Sequence, residues 1–453
     1  MKTGKPIKII FTLIVVLIWN TVSAQPNPYQ ANVYKKVNTG YYFLYTFKMQ
    51  KDAELKKLQQ MILDGNGHCI YYNNIKKGSD FKVHKNGLIS YMAEDSSFHI
   101  LDKNLKWIDT IRCVNGIETD PHDLQILPNK HYLIIGLEKV SMDLSAYRFI
   151  AKSEAPGSKR AQVIASVIQE LDENKKLVFE WHAKDHFQFN DVDPFFIKDT
   201  AFLDWNHVNS VEQDKDGNLI ICVRNFNEVT KINCKDGSVM WRFGGRRNQF
   251  KVLNDTIPFL AQHDARILAN GNLTIYDNGF GDTKRKHFTR ALEYKLNEGN
   301  KTAVLVWSYI RKPGTFCERT GNFQRLANGN SLINFGQAKN DNITFEVVDS
   351  MGQKVFDLKF RDTIGTYRAF YFPFIPVKFN RLTIKQFKVG NILFLDAGKG
   401  HSSYIWSTGD TTQIIKVAKP GSYFVYVPFN KSSFVSSEIL DIKNLHFRKR
   451  DKN

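Results

Sequence analysis

A histidine–aspartate pair occurs twice at the same place in a repeated sequence pattern. The stretches "PHDLQILPNKHYLIIG" and "QHDARILANGNLTIYD" carry His122 and His263, and each histidine stands seven residues before the asparagine of a turn. A third copy, "DWNHVNSVEQDKDGNLIICVRN", carries His207 nine residues before its turn aspartate. In the next copy, "GNFQRLANGN", Gly321 takes the place of the histidine. Equivalent positions in repeated units predict that the three histidines lie at one level of the fold.

These residue types are suited to binding an anion or to transferring a charged group. The third copy also supplies Arg224, on the return strand after its turn. Buried cationic groups without a partner are costly, and a shared anion would relieve that cost. Three histidines are also typical of zinc sites, although an arginine beside a cation is unfavourable, and this alternative stays open. Neighbours in a strand face opposite sides, so Asp123 and Asp264 are expected to have supporting roles rather than to be ligands.

The elements that must position these residues are short hairpins. Each has an apolar stretch, an Asn/Asp/Gly turn and a second apolar stretch, which is a hairpin signal. Successive turn residues Asp216, Asn270 and Asn328 are 54 and 58 residues apart, a spacing typical of propeller blades with about four strands each. Five such hairpins, with a further blade closed by "YYFLYTFKMQ" near the start, predict six blades. Inner strands line the channel of a propeller, so the histidines are expected to converge at one mouth.

The predicted fold class is all-β, with a six-bladed β-propeller followed by a small Ig-like β-sandwich domain. The propeller is assigned to residues 25–376, and the second domain with its basic tail to residues 377–453. In that second part, "YIWSTGDTTQIIKVAKPGSYFVYV" resembles the Ig-like modules of exported Bacteroidetes-type proteins. Between the hairpin that carries His122 and the hairpin that carries His207, "HAKDHFQFNDVDPFFIKDTAFLDW" interrupts the repeat. It is predicted to form a loop or short helices over one end of the propeller.

Residues 1–24 have the pattern of a secretory signal peptide: a basic start, an apolar run and the small-residue site "VSA". The apolar run is shorter than a membrane span, so we expect a periplasmic or secreted protein without a transmembrane segment. Removal of this segment would lower the formal net charge of +18 by three. The remaining positive charge favours anionic ligands, and no nucleic-acid recognition module is found. The five cysteines are odd in number and form no CxxC pair, so we predict no zinc site from them.

The three histidine-bearing segments, together with "GYYFLY", "ILDGNGHCIYY", "HKNGLISY", "WHAKDHF" and "GNFQRLANGN", resemble the bacterial arylsulfate sulfotransferase family over roughly residues 39–375. The resemblance implies a six-bladed propeller that needs neither a metal nor 3′-phosphoadenylyl sulfate. It assigns the nucleophilic histidine to His263, the supporting histidines to His122 and His207, the active-site asparagine to Asn209 and the arginine to Arg224. The large N-terminal β-domain of well-known members is not found here, which leaves the oligomeric state open.

The predicted function is therefore transfer of a sulfuryl group from a phenolic sulfate ester to a phenol through a transient sulfohistidine, with no cofactor. His263, His207, His122 and Arg224 are the predicted catalytic residues, and Asn209 and Arg224 the predicted substrate-binding residues. No metal ligand is predicted. Two rivals stay open: a propeller without catalysis that binds ligands or adheres to surfaces, and a metal-dependent propeller hydrolase. Which of His122 and His207 acts on the proton of the phenol is not decided by the sequence.

Overall fold

The computed structural model of the protein describes residue 26, residues 29–35, 40–48, 58–149, 155–281, 288–312, 314–336, 338, 343–360 and 364–443. The predicted signal segment and the basic tail from His446 lie outside the described residues. Within them, the all-β prediction is confirmed. The helices found in this part are short: an α-helix at Ala183–His186 and 3₁₀ helices at Phe189–Asp191, Pro194–Phe196 and Arg224–Phe226. The first three belong to the predicted interruption of the repeat.

Among the described residues, twenty-nine strands precede the C-terminal region. In chain order they are β1 (Tyr29–Val33), β2 (Tyr41–Lys48), β3 (Leu58–Asp64), β4 (Cys69–Ile75), β5 (Ser79–Val83), β6 (Ile89–Met92), β7 (Phe98–Leu101), β8 (Trp107–Ile111), β9 (Glu118–Ile126), β10 (Tyr132–Met142), β11 (Arg148–Phe149), β12 (Ala155–Pro156), β13 (Ala161–Leu171), β14 (Leu177–His182), β15 (Phe202–Asp204), β16 (Val208–Gln213), β17 (Leu219–Val223), β18 (Glu228–Ile232), β19 (Val239–Gly244), β20 (Lys251–Leu253), β21 (His263–Ile267), β22 (Leu273–Asp277), β23 (Arg290–Asn297), β24 (Thr302–Tyr309), β25 (Asn322–Arg325), β26 (Ser331–Asn334), β27 (Phe345–Val348), β28 (Lys354–Phe360) and β29 (Ile364–Phe372).

Most of these strands form six sheets in succession, which are antiparallel except for the parallel edge strands β15 and β20; β11 and β12 pair separately. The first five are β5–β8, then β9, β10, β13 and β14, then β16–β19, then β21–β24, and then β25–β28. The sixth joins the two ends of this region, because β29 pairs with β2, which continues through β3 and β4. The strands β5, β9, β16, β21, β25 and β29 each contact the next, and β29 contacts β5. We call this closed set the inner ring.

The hairpin turns follow the chemistry that their sequences predict. In four of them the residue after the turn Asn or Asp is a glycine, and its φ lies between +82° and +86° (Gly87, Gly217, Gly271 and Gly329). Such a left-handed residue closes a short hairpin loop, and glycine adopts it without a Cβ clash. Lys130 occupies the same position in the remaining copy with a φ of +67°. The five hairpins are therefore one repeated turn.

Apolar side chains from neighbouring sheets form the core. Between the first and second sheets, for example, Phe98 and Ile100 pack with Leu124 and Ile134, all of them buried. Burial of side chains of this size stabilises the fold by about 1.5–3 kcal/mol each. Trp181 and Trp241 are buried in such clusters. Trp107 is different: it is 58% exposed, because β8 forms the outer edge of its sheet.

The C-terminal region, as far as residue 443, adds eight strands: β30 (Lys385–Val389), β31 (Ile392–Asp396), β32 (Ile405–Trp406), β33 (Ile414–Lys416), β34 (Gly421–Tyr423), β35 (Val425–Pro428), β36 (Ser433–Ser436) and β37 (Leu440–Ile442). Three of them continue the sixth sheet, because β36 pairs with the edge strand β4 and is followed by β35 and β32. The region also has an apolar cluster of its own around Trp406 and Leu395. The boundary at residue 377 thus stays a prediction, with a continuous sheet crossing it.

Candidate active site

A cavity of about 830 Å³ lies at one end of the inner ring. Its walls include four of the predicted site residues, namely His122, His207, His263 and Arg224. The structure therefore brings the three histidines of the repeated hairpins to one place, as their spacing predicts. Other residues of the wall include the polar or charged Lys48, Lys77, Glu118, Arg319, Thr320 and Tyr367 and the apolar or aromatic Tyr45, Phe47, Met92 and Leu137.

A repeated irregularity of the inner strands explains why the histidines reach this cavity. The pairing register shifts in β5 after Ser79, in β9 around residues 120–123, in β16 after Val208 and in β21 after His263. Such bulges leave residues unpaired and redirect their side chains. His207 and Asp264 have φ values of +51° and +53° at these points. Local backbone geometry, rather than simple strand alternation, therefore sets the direction of these side chains.

His122 is paired with a carboxylate. Its Nδ1 donates to Asp120 Oδ1 at 2.6 Å, and the same oxygen accepts the main-chain N–H of His122 at 2.8 Å. Burial lowers the pKa of His122, but the charge and hydrogen bond of Asp120 outweigh it and raise that pKa overall. The arrangement favours an imidazolium at this position, with Nε2–H as its remaining donor.

His207 has a similar partner but a different charge environment. Its Nδ1 donates to Asp204 Oδ2 at 2.5 Å, and its ring centroid lies 4.9 Å from that of His122. Burial lowers the pKa of His207, and the nearby His122 and Arg224 lower it further, so that Asp204 does not restore it. Two adjacent imidazoles with opposite pKa shifts favour one protonated and one neutral ring.

His263 is buried and held in a single tautomer. Its Nδ1 lies 3.1 Å from the carbonyl oxygen of Ala261 and 2.7 Å from Asn278 Oδ1. The amide of Asn278 is oriented by its own donor, since Nδ2 donates to the carbonyl oxygens of Cys317 and Thr320. Both neighbours of Nδ1 are thus acceptors, so Nδ1 carries the proton and Nε2 carries the lone pair.

Burial and the charge of Arg224 also keep His263 uncharged, because both lower its pKa well below the usual value. Nε2 accepts a long hydrogen bond, 3.3 Å, from the main-chain N–H of Thr320. A neutral imidazole with an unprotonated Nε2 in the wall of a cavity can act as a nucleophile.

Two arginines complete the electrostatics of the cavity. Arg224 donates to Asn225 Oδ1 at 2.9 Å and to the carbonyl oxygen of Glu318 at 3.3 Å, and its guanidinium lies 4.9 Å from the ring of Phe196. Burial lowers the pKa of Arg224 to about 10, so it stays charged at neutral pH. Arg319, which the sequence analysis missed, lines the same cavity. The predicted short helices of the interruption thus contact this site through Phe196.

Asn209 lies behind the cavity wall. It is fully buried, its Nδ2 donates to the carbonyl oxygen of Gln262 at 2.8 Å, and its Oδ1 accepts the main-chain N–H of Asp264 at 3.3 Å. Its side chain therefore joins β16 to the residues on both sides of His263. The predicted contact of Asn209 with substrate stays a prediction, because the side chain is directed at the main chain of the neighbouring strand.

Below the histidines lies a cluster of six charged side chains from the inner ring, of which five are buried and Arg266 is partly exposed. The members of this ion-pair cluster are Lys82, Arg266, Arg368, Asp80, Asp123 and Asp264. Lys82 contacts Asp80 at 2.7 Å and Asp123 at 2.6 Å, and Arg266 contacts Asp264 at 2.7 Å. The cluster is formally neutral, with three charges of each sign. In each His–Asp pair, the histidine thus faces the cavity and the aspartate enters this cluster.

A second cavity, of about 630 Å³, lies beyond this cluster and is lined by the later residues of the same inner strands. Among the residues that the structure describes, no group of three or more His, Cys, Asp or Glu side chains is arranged to hold a metal ion. The described residues also include no helix long and apolar enough to cross a membrane.

Sequence reasoning missed several residues of the site. Asp120 and Asp204 stand two and three residues before their histidines, a spacing that allows a local Asp–His pair. Asn278, Thr320 and Arg319 reach the site from the end of β22 and from the loop before β25. No local signal identifies these three, because their contacts join segments that are distant in the chain.

Comparisons with known proteins point to one family. The model of the family described as Arylsulfotransferase (ASST) matches residues 27–370. The arylsulfate sulfotransferase AssT of Escherichia coli O6:H1 is 27% identical over a stretch that covers 29% of this chain and 27% of that protein. The chain thus spans about a quarter of the length of the curated relative that it matches.

Among solved structures, a protein of unknown function from Bacteroides caccae is 13% identical with a TM-score of 0.45, covering 73% of this chain and 98% of that one. The β-propeller domain of Swd1 from Myceliophthora thermophila is 7% identical with a TM-score of 0.38, covering 81% and 96%. The family model matches well over half of the sequence and includes every residue of the histidine cavity. The chain belongs to the arylsulfotransferase (ASST) family.

Proposed function

We propose that this protein transfers a sulfuryl group from an aryl sulfate ester to a phenol, with His263 as the covalent carrier. The observation that carries the proposal is the state of His263, whose Nδ1–H is held by two acceptors while Nε2 keeps its lone pair. Its pKa, lowered by burial and by Arg224, keeps that nitrogen unprotonated at neutral pH. The family membership and the histidine cavity support the same chemistry.

In the first step, Nε2 of His263 releases the long hydrogen bond from the main-chain N–H of Thr320 and forms a bond to sulfur as the bond between sulfur and the aryl oxygen breaks. The electron pair of that bond leaves on the aryl oxygen, which takes a proton from an acid of the site and departs as a phenol. The sulfonated imidazole gains positive charge, and Asn278 Oδ1 stabilises it through Nδ1–H. In the second step, a phenol loses its proton to the same group, attacks sulfur and returns the electron pair to Nε2.

His122 is the group that we assign to this proton transfer. Its raised pKa supplies an imidazolium for the leaving aryl oxide, and the resulting neutral imidazole can accept the proton of the incoming phenol. His207, whose pKa is lowered, stays neutral beside it and donates to Asp204. We therefore assign His207 to orienting the substrate and not to supplying the proton.

Arg224 and Arg319 are the groups that we assign to the sulfuryl oxygens. Both line the cavity with the histidines, and Arg224 is fixed by its bonds to Asn225 and to the carbonyl of Glu318. The sulfuryl oxygens carry negative charge in the transition state. Hydrogen-bond donors that are already in position stabilise this charge best, and each such donor contributes about 3 kcal/mol. We assign Asn209 a positioning role, because its amide bonds both sides of His263.

The aryl group is assigned to the apolar and aromatic side chains of the cavity wall. These include Tyr45, Phe47, Met92 and Leu137. A volume of about 830 Å³ exceeds what a single phenyl ring needs and lies within the range of small-molecule sites. The aryl group of the donor ester, and that of the acceptor phenol, can thus be larger than one ring.

We further infer that the six sheets are the six blades of a propeller, with the closed inner ring as its channel wall. The C-terminal region is proposed to be an Ig-like module that is joined to the sixth blade through β36. We propose a periplasmic or secreted location, which rests on the signal pattern of residues 1–24.

The test uses the full-length protein with 4-nitrophenyl sulfate, with and without phenol and in the presence of EDTA. Release of 4-nitrophenol that depends on phenol supports sulfuryl transfer. Repeated turnover without an acceptor identifies a sulfatase, release that EDTA abolishes favours the metal-dependent alternative, and no release with several phenols favours a binding propeller.

The variant His263→Asn is expected to abolish transfer, because an amide cannot replace the nucleophilic nitrogen. His99→Asn is the matched control, since the ring of His99 stacks on Trp107 at an outer edge. Mass spectrometry of donor-treated enzyme without acceptor should find one added SO₃ group in the wild type and none in His263→Asn. Full turnover in a folded His263→Asn variant would contradict the proposal.

A further inference from the structure

We propose that Arg368 is a positioning residue that fixes the three histidines relative to one another; this inference rests on the proposed function. Arg368 is fully buried beneath the cavity, on the inner strand β29. Its Nη1 donates to the carbonyl oxygen of His122 at 3.0 Å, and its Nη2 donates to that of Asn209 at 2.7 Å. It also approaches Asp264 at 3.4 Å, directly after His263.

One guanidinium thus contacts all three strands that carry or adjoin the histidines. His122 lies in β9, Asn209 lies two residues after His207 in β16, and Asp264 lies in β21. These strands belong to three different sheets, so no ladder of main-chain hydrogen bonds joins them to one another. Their relative positions depend on side chains that cross between sheets. Asp123 and Arg266 also join these strands, through Val211, whereas Arg368 bonds the main chain of His122 itself and of Asn209, nearer to the histidines.

The carboxylates hold this guanidinium in turn. Asp80 Oδ1 accepts from Nη1 at 2.9 Å, and Asp123 approaches the same nitrogen at 3.5 Å. The planar fork of arginine can serve two carbonyl groups and a carboxylate at the same time, which a lysine ammonium on a single stem cannot reproduce. The charge of Arg368 also lowers the pKa of His122, so a variant that keeps this charge is needed to isolate the geometric contribution.

Arg368→Lys keeps the charge and removes the fork, and Arg266→Lys is the matched control. Arg266 belongs to the same cluster and contacts Asp123 and Asp264, but its main-chain partner is the carbonyl of Val211, farther from the cavity. We expect Arg368→Lys to lower kcat about 10- to 100-fold, because displacement of reacting groups by about 1 Å has effects of this size. KM for the donor should change little, and Arg266→Lys should keep most of the wild-type kcat.

The first turnover separates positioning from general loosening of the fold. With 4-nitrophenyl sulfate and no acceptor, Arg368→Lys should form the sulfonated enzyme slowly but to the full extent, whereas Arg266→Lys should form it at nearly the wild-type rate. Equal losses in the two variants, or a wild-type rate in Arg368→Lys, would overturn the inference. If Arg368→Lys does not fold, Asp80→Asn tests the same point. The asparagine oxygen can still accept from Nη1 of Arg368 but holds the guanidinium less strongly without the negative charge. An unchanged kcat in Asp80→Asn would then overturn the inference.

The positioning role of Arg368 can be tested separately from the proposed function, by following the pH titration of the histidine rings with nuclear magnetic resonance. A wild-type protein that transfers no sulfuryl group would refute the function and leave the positioning role open to this measurement. We expect the titration of His122 to shift in Arg368→Lys and to stay at the wild-type pH in Arg266→Lys. The same titration in both variants would overturn the role of Arg368.

Discussion

The pairing of His122 with Asp120 gives the sharpest prediction about the chemistry. In the wild type, Asp120 Oδ1 accepts the main-chain N–H of His122 at 2.8 Å and its Nδ1–H at 2.6 Å. An asparagine at position 120 keeps an oxygen that can accept both bonds. The change removes only the negative charge. Two unit charges about 4 Å apart attract by about 4 kcal/mol at an effective dielectric constant of about 20, so the imidazolium loses stabilisation of this order.

The loss should depend on the leaving group. Phenols of high pKa need a proton as they leave, and removing an effective acid typically costs about 10²- to 10⁴-fold. We therefore expect Asp120→Asn to lower kcat/KM at pH 7 by about 100-fold for phenyl sulfate. For 4-nitrophenyl sulfate, whose leaving group is stable as an anion, the loss should be much smaller.

The assay is kcat/KM for a series of substituted phenyl sulfates, measured from pH 5 to 9 in both proteins. The pKa of His122 is raised in the wild type, so the imidazolium is present at low pH and activity with phenyl sulfate falls as the pH rises through that value. In Asp120→Asn this fall should move to lower pH. A loss of equal size for all leaving groups, with no movement of the pH profile, would refute the assignment of His122 as the acid.

The remaining predictions concern stability. Lys82→Met leaves Asp80 and Asp123 without their shortest cationic contacts in the buried cluster, and we expect the free energy of unfolding to fall by about 3–5 kcal/mol in urea titrations. Lys85→Met, at an exposed turn position, should change it little, and equal values for both variants would contradict the importance of the cluster. Tyr426→Phe removes the donor to the carbonyl oxygen of Cys69 across the boundary at residue 377, and should lower the free energy of unfolding by about 1–3 kcal/mol. If the C-terminal region unfolds independently, calorimetry would instead find the main transition unchanged.

The fold could be predicted because its signals are local. Each hairpin is marked by an Asn or Asp followed by a residue that adopts positive φ, as at Gly217 and Gly271. The repeat of these turns is sufficient to predict that His122, His207 and His263 lie at one level. The register shifts that direct the histidines into the cavity and the aspartates into the ion-pair cluster have no such signal, because they depend on how each strand meets its neighbours.

The partners of the site are harder to predict for the same reason. Asn278 and Arg368 act on segments of other sheets, and only the closed ring of inner strands brings them near the histidines. The resemblance predicts that Asn209 contacts the substrate. Its buried amide instead forms hydrogen bonds with the carbonyl of Gln262 and the main-chain N–H of Asp264. The sequence of β36 is compatible both with a strand inside a separate β-sandwich and with a strand added to the edge of the sixth sheet. The sequence therefore does not predict the pairing of β36 with β4.

The closure of the sixth sheet has a consequence for how the chain folds during synthesis. Tyr41 pairs with Phe372, so β2 has no partner on that side until almost the whole ring has emerged. Contacts between such distant segments make folding slow, because loop closure must precede the gain from pairing. Until then, the apolar strands β2–β4 present an open edge to other chains. A binding factor that covers this edge would raise the yield of native protein, and slow emergence of the last strand would lower it.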